Sequence, residues 1–308
     1  MNHNLASRDA IIFKKSFEDM PTILSELNIE GSNLFLYVDP FGIKHLDMLL
    51  FDRLIELCPS VEILVNFNSF GFLREACRVC GLDLSDVPVE EDLIERDSWD
   101  FKEKSEAAKR LDRVMGTQVW RDITKSYKAK EIDGYKAECC IACCYAERLN
   151  ECYKYVLNFP VRLKAGQRPK YRMLHACSHP DGTILMHQSM ERGKESLLFM
   201  QSGNQLSLFN QNVENELILS KDIENDMLQY LLQLGCRVRL NEFYASFMTS
   251  VGITLPFKDL KNIVANLEKR AKVKITREPN MTGNNNPTAF MEESRGKRAW
   301  IEVINNEM

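Results

Sequence analysis

The sequence predicts an α/β fold in two parts: a partial doubly wound sheet with an antiparallel edge hairpin, and a smaller C-terminal module of three helices and a two-stranded ribbon. Three observations predict it. Two continuous apolar runs flank an amphipathic helix, two later runs are joined by a short turn-rich segment, and the tail shows helical apolar spacing three times before its last two strands.

Composition and charge are those of an ordinary folded protein. The chain has 308 residues, 44% of them apolar, and 40 Lys and Arg residues against 44 Asp and Glu give a net charge of −4. This balance excludes a disordered or collagen-like chain and a polycation that coats nucleic acid through net charge. Because no apolar window approaches the roughly 20 residues that cross a bilayer and Met1–Ala10 is polar, we expect a cytoplasmic protein without a membrane span.

The length predicts two domains. A polar stretch at Ser202–Glu214 marks the division. We therefore expect an α/β domain at residues 1–205, a linker at 206–216 and a second domain at 217–308.

The first part has the strand–helix–strand pattern of a parallel sheet. Leu34–Val38 and Val61–Phe67 are continuous apolar runs, as expected for strands buried on both faces. Between them Leu46–Cys58 has apolar residues at helical spacing, which predicts the connecting helix. A short run at Ala10–Phe13 is a further strand candidate.

Two later runs, Lys154–Leu163 and Tyr171–Ser178, are joined by the seven turn-rich residues 164–170 and therefore predict an antiparallel hairpin. The region before them, residues 73–153, is mostly helical in pattern. It includes Asp83–Asp100, where eight carboxylates are opposed by one arginine. We interpret this acidic stretch as a solvated surface loop.

The tail predicts a winged helix-turn-helix module. Its predicted elements are three amphipathic helices and two strands, at Asp222–Leu234, Leu240–Ser250, Phe257–Ala271, Lys272–Arg277 and Arg298–Ile304. Three helices followed by a two-stranded ribbon are the outline of that fold.

The sharpest local motif is Asp39-Pro-Phe-Gly42, at the end of the first of the two parallel runs. Ligands of open α/β sheets bind outside the carboxyl ends of the strands, so a carboxylate there is well placed for function. Asp39 can accept hydrogen bonds from an exocyclic amine, Pro40 fixes the backbone, Phe41 can stack on a base and Gly42 permits a tight turn. The alternative is an aspartate that ends the strand and caps the next helix, with Pro-Phe-Gly forming only a turn.

With Glu62–Phe67 and Arg74, this motif forms a series that resembles the three-Cys-motif partner proteins, a bacterial family often called TcmP. The resemblance extends loosely over most of the chain. It implies a Rossmann-like fold similar to class I, S-adenosylmethionine-dependent methyltransferases, a protein partner, and a mobile-element or defence context. Asp39 and Pro40 match the Asp-Pro-Pro-Tyr type motif of amino-methyltransferases, whereas Phe41 and Gly42 depart from it.

The cofactor-binding part of that family lies ahead of the matching region. Family members place a strand and a glycine-rich acidic loop there, but only 38 residues precede Asp39, and they contain one glycine, Gly31. We therefore expect the first cofactor-binding unit to be missing, and S-adenosylmethionine to bind only where a partner supplies the missing half. No cofactor-binding residue is assigned, and whether the chain is an enzyme stays open.

Two other residues of the series are candidate substrate-binding residues. Asn66 is expected at a strand end near Asp39, and Arg74 can bind a carboxylate or phosphate. The alternatives are an asparagine that satisfies a turn and an arginine that pairs with Asp83–Asp100.

The ten cysteines do not predict a metal site. Cys77-Arg-Val-Cys80 has CxxC spacing, but neither a second well-placed pair nor a spaced histidine pair accompanies it. A zinc site that adds His175 and His179, expected on one strand face, is the less favoured alternative. Cys139–Cys144 lies in the helix predicted at Gly134–Asn150, and we interpret its cysteines as small apolar residues that pack a core.

A basic surface in the tail is the best evidence for nucleic acid. The third helix and the following strand are expected to present Lys258, Lys261, Asn262, Lys269, Arg270, Lys272 and Lys274 to DNA or RNA. The alternative is a winged helix used for protein contacts. A second basic run, Val161–Arg172, lies on the predicted hairpin and could guide a polyanion past Asp39.

These expectations combine into a methyltransferase-related, nucleic-acid-associated protein that acts with a partner protein. Any methyl transfer would use Asp39 to hold the acceptor amine and Phe41 to stack on its base. The alternative is a non-enzymatic scaffold or pseudo-enzyme whose winged helix mediates protein or DNA docking.

Overall fold

The computed structural model describes residues 13–27, 32–40, 43, 45–82, 104–162, 169–201, 222–252 and 255–304. It is a mixed α/β protein with a four-stranded sheet and a separate three-stranded antiparallel sheet. Of the sequence predictions, the strand at Ala10–Phe13 and the loop at Asp83–Asp100 lie outside these residues, apart from Phe13, which is not in a strand.

The predicted parallel pair is confirmed. After a short helix, α1 (Met20–Glu26), the strands β1 (Asn33–Val38) and β2 (Ser60–Phe67) run parallel and are connected through helix α2 (Met48–Leu57). The carboxylate of Asp47 caps α2 by accepting the Leu49 backbone N–H at 3.1 Å. The two strands therefore end side by side at the same edge of the sheet.

The predicted antiparallel hairpin completes this sheet. Strand β4 (Tyr171–Cys177) lies between β2 and β3 (Tyr155–Val161) and is antiparallel to both, which gives the order β1-β2-β4-β3. Within the described part of the chain, β1 is an edge strand.

The two faces of β1 differ, and here the prediction of burial on both faces is wrong. Leu36 and Val38 are buried in the main core, whereas Phe35 and Tyr37, on the other face, are 53% and 52% exposed. A run of apolar residues cannot by itself distinguish a covered strand from one with an open aromatic face.

Four helices cover the buried face together with α2. They are α3 (Ser69–Val79), α4 (Lys104–Met115), α5 (Trp120–Lys128) and α6 (Gly134–Asn150). Their apolar residues, including Phe72, Trp120 and Tyr145, form one core with the inward side chains of β1 and β2.

A long helix, α7 (Pro180–Gln201), follows β4 and crosses part of the opposite face. Its first turns are buried at Thr183, Ile184 and His187, while Phe199 and Met200 near its end are exposed. The sequence predictions assigned no element to this segment.

The C-terminal elements occur close to where they are predicted. They are α8 (Ile223–Leu234), β5 (Val238–Arg239), α9 (Leu240–Val251), α10 (Phe257–Lys269), β6 (Val273–Glu278) and β7 (Arg298–Val303). The small sheet has the order β5-β7-β6, with every pair antiparallel.

A second core unites these elements with the first part of the chain. Leu157 of β3 and Ile184 of α7 pack in the same cluster as Phe243, Phe247 and Val264. The predicted linker at 206–216 lies outside the described residues. None of the described helices is long and apolar enough to cross a membrane.

Candidate functional site

Asp39 and Asn66 are brought together where β1 and β2 end. The register pairs Val38 with Val65, so the next residue of each strand is also adjacent. The Asn66 side-chain Nδ2 donates a hydrogen bond to Asp39 Oδ1 at 2.8 Å. Asp39 is exposed to solvent, which leaves its carboxylate accessible to a ligand. The expected proximity of the two residues is confirmed.

The Asn66 amide has unused hydrogen-bonding capacity. Its Oδ1 is buried and has no hydrogen-bond partner among the described residues. A buried acceptor without a partner costs about 1–3 kcal/mol, so this atom favours a ligand or solvent donor. The corner formed by Asp39 and Asn66 thus presents one exposed acceptor, the Asp39 carboxylate, with a buried and unpaired acceptor, Asn66 Oδ1, beside it.

Two tyrosines flank the aspartate on the same face. Tyr37 is two residues before Asp39, so strand alternation places both side chains on one side of β1. Partial burial, followed by the nearby Asp39 carboxylate, raises the pKa of the Tyr37 phenol. Burial and the same carboxylate raise the pKa of Tyr171 at the start of β4. Both hydroxyls are therefore neutral donors beside a negative charge at neutral pH.

The face around this corner is largely apolar and only partly covered. Across the sheet, Asn66 is opposite Met173, which is opposite Phe159, and both neighbours are half-buried. With the exposed rings of Phe35 and Tyr37, they form a surface that we call the open face. Farther from the corner, α7 covers the same side of the sheet, where His175 and Cys177 are buried.

The structure does not bring the remaining predicted residues of the motif and of α3 into contact with Asp39 and Asn66 in the same way. Pro40 is half-buried beside Asp39, whereas Phe41 and Gly42 lie outside the described residues, so stacking by Phe41 stays a prediction. Arg74 is half-buried on α3 and makes no hydrogen bond or ion pair with the described part of the chain. The structure therefore does not join Arg74 to Asp39 or Asn66 through a direct hydrogen bond.

The residues of the alternative zinc site are in unlike environments. Cys77 is buried, and this burial raises the pKa of its thiol to about 11, whereas Cys80 is exposed. His175 is buried and its Nε2 lies 2.7 Å from Glu62 Oε1. His179 is exposed in the turn after β4, so the expected shared strand face is wrong. Among the described residues, no group of three or more His, Cys, Asp or Glu could hold a metal ion.

The sheet offers little that fits S-adenosylmethionine. Within the described residues, no strand leads into a glycine-rich loop, and β1 has no neighbour on its outer side. The groups that would receive the amino acid portion and the ribose of the cofactor are thus not found there. We assign no catalytic step through this cofactor.

The basic surface of the tail is smaller than expected. Lys261 is half-buried, bonded to Glu292 at 2.9 Å and placed over the Phe257 ring, instead of lying on the exposed helix face. Arg270 pairs with Glu224, and Lys274 lies 3.6 Å from Glu302. The predicted residues that are exposed and form no ion pair with the described residues are Lys258, Asn262, Lys269 and Lys272.

The start of α10 is held by α7. Glu191 Oε2 accepts a hydrogen bond from the Phe257 backbone N–H at 3.2 Å. Helix-turn-helix modules read bases with the first residues of their recognition helix, which the sequence analysis predicts to be α10. Here one of the donors at that end is already occupied by a side chain of the same protein.

No family model, curated protein or solved structure matches the chain. Its geometry is therefore the basis for any functional conclusion.

Proposed function

We propose that this chain is a methyltransferase-related, nucleic-acid-associated protein of the three-Cys-motif partner type, in which the corner formed by Asp39 and Asn66 binds an amine-bearing base. One observation carries the proposal: the Asn66–Asp39 hydrogen bond at the accessible carboxyl ends of two parallel strands. Open α/β sheets bind ligands at this edge.

The chemistry of the corner favours a cytosine- or adenine-like ring. The Asp39 carboxylate accepts from an exocyclic amine, and the unpaired Asn66 Oδ1 accepts a second N–H. Tyr37 supplies an exposed ring on which a base can stack, worth about 1–3 kcal/mol per base. Thymine has no exocyclic amine, and its one Watson–Crick donor, N3–H, lies between two carbonyl oxygens that the Asp39 carboxylate would repel.

The fold supports the same relationship. Parallel β1 and β2, continued by an antiparallel hairpin, are the arrangement expected for the second half of a doubly wound sheet. The order helix, strand, helix, helix, strand, strand from α8 to β7 supports the proposed winged helix-turn-helix. On this proposal a partner protein supplies the S-adenosylmethionine site, and the present chain holds the acceptor.

The test is a comparison of homopolymers by fluorescence anisotropy at one fixed salt concentration. We expect labelled single-stranded oligo-dC and oligo-dA to bind the protein at least severalfold more tightly than oligo-dT. Asp39→Ala should remove that preference while changing oligo-dT binding little. Asp122→Ala is the matched control, because it removes an equally charged but highly exposed carboxylate on α5.

Equal binding of all three homopolymers by the wild-type protein would reject the assignment of a base-binding site to Asp39 and Asn66.

A second candidate function, a scaffold for another protein, has its own support. Three of the six charged side chains of the predicted basic surface, Lys261, Arg270 and Lys274, are already paired inside the C-terminal unit, and Glu191 occupies the start of α10. Absence of binding to every oligonucleotide would favour this scaffold.

A further inference from the structure

The outer face of the small C-terminal sheet carries arginines that the proposed function does not use. In β7 the side chains of Ala299 and Ile301 are buried, and together with Ile275 of β6 they belong to the second core. Strand alternation therefore turns Arg298 and Trp300 to the opposite side of the sheet. There Trp300 is half-buried and Arg298 is exposed, so this side of the sheet is accessible to solvent.

Two further arginine side chains lie against the Trp300 ring. The Cζ atom of Arg237 is 4.8 Å from the ring centroid and that of Arg239 is 5.5 Å from it, distances at which an aromatic ring attracts a cation. The Nε of Arg239 also binds Glu293 Oε1 at 2.6 Å. Arg237 is exposed and makes no hydrogen bond or ion pair with the described residues.

The contact with Trp300 positions Arg237 without using its hydrogen-bond donors. All the N–H groups of the guanidinium are left for an acceptor from outside the described residues. The planar guanidinium matches two oxygens of a phosphate or carboxylate with two parallel hydrogen bonds. Because the ring already restrains the long side chain, Arg237 loses less conformational freedom when it binds such a group.

More positive charge lies beside this pair of arginines. Arg298 is two residues before Trp300 on the same face, and the turn that leads into β7 adds Arg295 and Lys297. All three cations are exposed, and none of them forms an ion pair with the described residues. From the level of Arg237 to that of Arg298 the face extends along about four residues of β7, or roughly 13 Å.

Two glutamates oppose this charge, and one of them is already paired. Glu302 lies 3.6 Å from Lys274, whereas Glu278 is opposite Arg298 in the register of β6 and β7 but forms no ion pair with it. The outward positions of β6 and β7 thus leave one unpaired carboxylate. The unpaired cations of the face and its turn are four: Arg237, Arg295, Lys297 and Arg298.

We propose that this outer face, which we call the arginine face (Arg237, Arg295, Lys297, Arg298 and Trp300), binds the phosphates of a nucleic-acid backbone. The inference rests on the proposed function, because it names the surface that holds the nucleic acid. Arg237 binds one phosphate while the Trp300 ring keeps it in place, and the other cations bind phosphates along the same strand. A nucleic-acid backbone fits because it carries a negative charge at every nucleotide and no cation of its own.

The arginine face is distinct from the basic surface that the sequence predicts. That surface is centred on α10, whose residues Leu260, Val264 and Leu267 pack in the second core together with Ile275 and Ile301, on the inner side of the sheet. The arginine face is on the outer side. Substitutions on one surface therefore leave the other unchanged.

The test is fluorescence anisotropy with labelled oligo-dT of about 20 nucleotides over a series of salt concentrations. Arg237→Gln and Arg298→Gln should each weaken binding severalfold. Each should also lower the slope of the log association constant against log salt concentration by about 0.7, because one phosphate contact is lost. The double variant should lose about tenfold or more at the lowest salt concentration. Both residues are exposed, so their replacement leaves the core intact.

Two further variants separate position from charge. Arg53→Gln is the matched control, because Arg53 is an exposed arginine on α2 that forms no ion pair with the described residues, and it should change neither affinity nor slope. Arg237→Lys keeps the charge but loses the planar guanidinium. It should weaken binding severalfold while leaving the salt slope close to that of the wild-type protein.

The failure of this proposal differs from the failure of the Asp39 corner. If the corner is wrong, oligo-dC, oligo-dA and oligo-dT bind equally, yet all three lose affinity in Arg237→Gln. If the arginine face is wrong, Arg237→Gln and Arg298→Gln bind every oligonucleotide as tightly as Arg53→Gln does.

Two other results would also overturn the arginine face. One is the absence of binding to every oligonucleotide. The other is displacement of labelled oligo-dT by poly-glutamate as effectively as by unlabelled oligo-dT at equal charge, which would point instead to an acidic protein surface as the partner.

Discussion

At the scale of single residues, two polar pairs lie at the same edge of the main sheet but on opposite faces. Asp39 is exposed and Asn66 is half-buried beside it, and their meeting could be predicted because both lie at the ends of the strands in a strand–helix–strand pattern. Glu138 and Arg172 meet on the covered face across 34 residues. Their pairing depends on how α6 packs on β4, which local spacing does not encode. One arginine inside an apolar strand is the single visible sign of it in the sequence.

We predict that the free energy of unfolding falls much more when one residue of the Glu138–Arg172 pair is replaced than when both are replaced together. Glu138→Gln leaves the Arg172 guanidinium buried without its counter-charge and also weakens the bond donated by Ser69, which is itself buried. We expect the free energy of unfolding, measured by urea denaturation, to fall by about 3 kcal/mol. Replacing both residues by methionine should cost clearly less than the sum of the two single changes.

An exposed ion pair provides the control. Asp122→Asn breaks the pair with Lys125, in which both side chains are about three-quarters exposed. The unfolding free energy should then change by no more than about 0.5 kcal/mol. Equal effects of Glu138→Gln and Asp122→Asn would mean that the buried pair is not isolated from water.

At the scale of elements, helix ends explain which predictions succeeded. The helix α8 begins after Asp222, whose side chain accepts the Asn225 backbone N–H at 3.1 Å, and ends at Gly235, which has a left-handed φ of 62°. Both signals are visible in the sequence. The helix α7 lacks a single apolar stripe, since Leu185 is exposed and Ile184 is buried. The residues that mark the beginning of α7 in the sequence are Pro180, at the first helical position, and Asp181 next to it.

Two glycine substitutions should have opposite effects on stability, because Gly235 ends a helix with a left-handed φ and Gly193 lies inside a helix. Gly235→Ala places a Cβ in the left-handed region and should destabilise the protein by about 1 kcal/mol, although its nearest neighbour, the Leu232 carbonyl oxygen, would lie at an ordinary contact distance of 4.0 Å. Gly193→Ala, in the interior of α7 with no atom within 4 Å of the added Cβ, should stabilise it by about 0.5–1 kcal/mol. Thermal unfolding measures both, and a loss of stability in Gly193→Ala would contradict the helical environment assigned to it.

At the scale of the whole molecule, the division into two domains predicted from the polar stretch stays a prediction, but the described residues are closely connected. Leu157 and Ile184 belong to the second core although both precede that stretch. Polar contacts follow the same path: Lys154 lies 3.5 Å from Glu242, and Glu191 binds the start of α10. Sequence patterning located each helix of the tail but not this contact, because it depends on α7, whose apolar residues face more than one neighbour.

Asn241 is the residue through which this connection should be most easily broken. It is 2% exposed, and its Nδ2 donates to Asp181 Oδ1 at 2.7 Å and to the Glu293 carbonyl oxygen at 3.3 Å. Its Oδ1 accepts the Glu293 backbone N–H at 2.9 Å. One amide thus joins the start of α7, the start of α9 and the segment before β7, and removing it leaves buried partners unsatisfied.

Asn241→Ala should therefore lower the free energy of unfolding by about 2–3 kcal/mol, whereas Asp181→Ala, which removes only an exposed carboxylate, should cost less than about 1 kcal/mol. Hydrogen exchange locates the effect. If α7 unites the two cores, amide protection in Asn241→Ala should fall together in α7, α9 and β7 while β1 and β2 keep theirs. Loss of protection confined to α9 and β7 would show that the C-terminal elements open without α7, and that the shared core does not couple them.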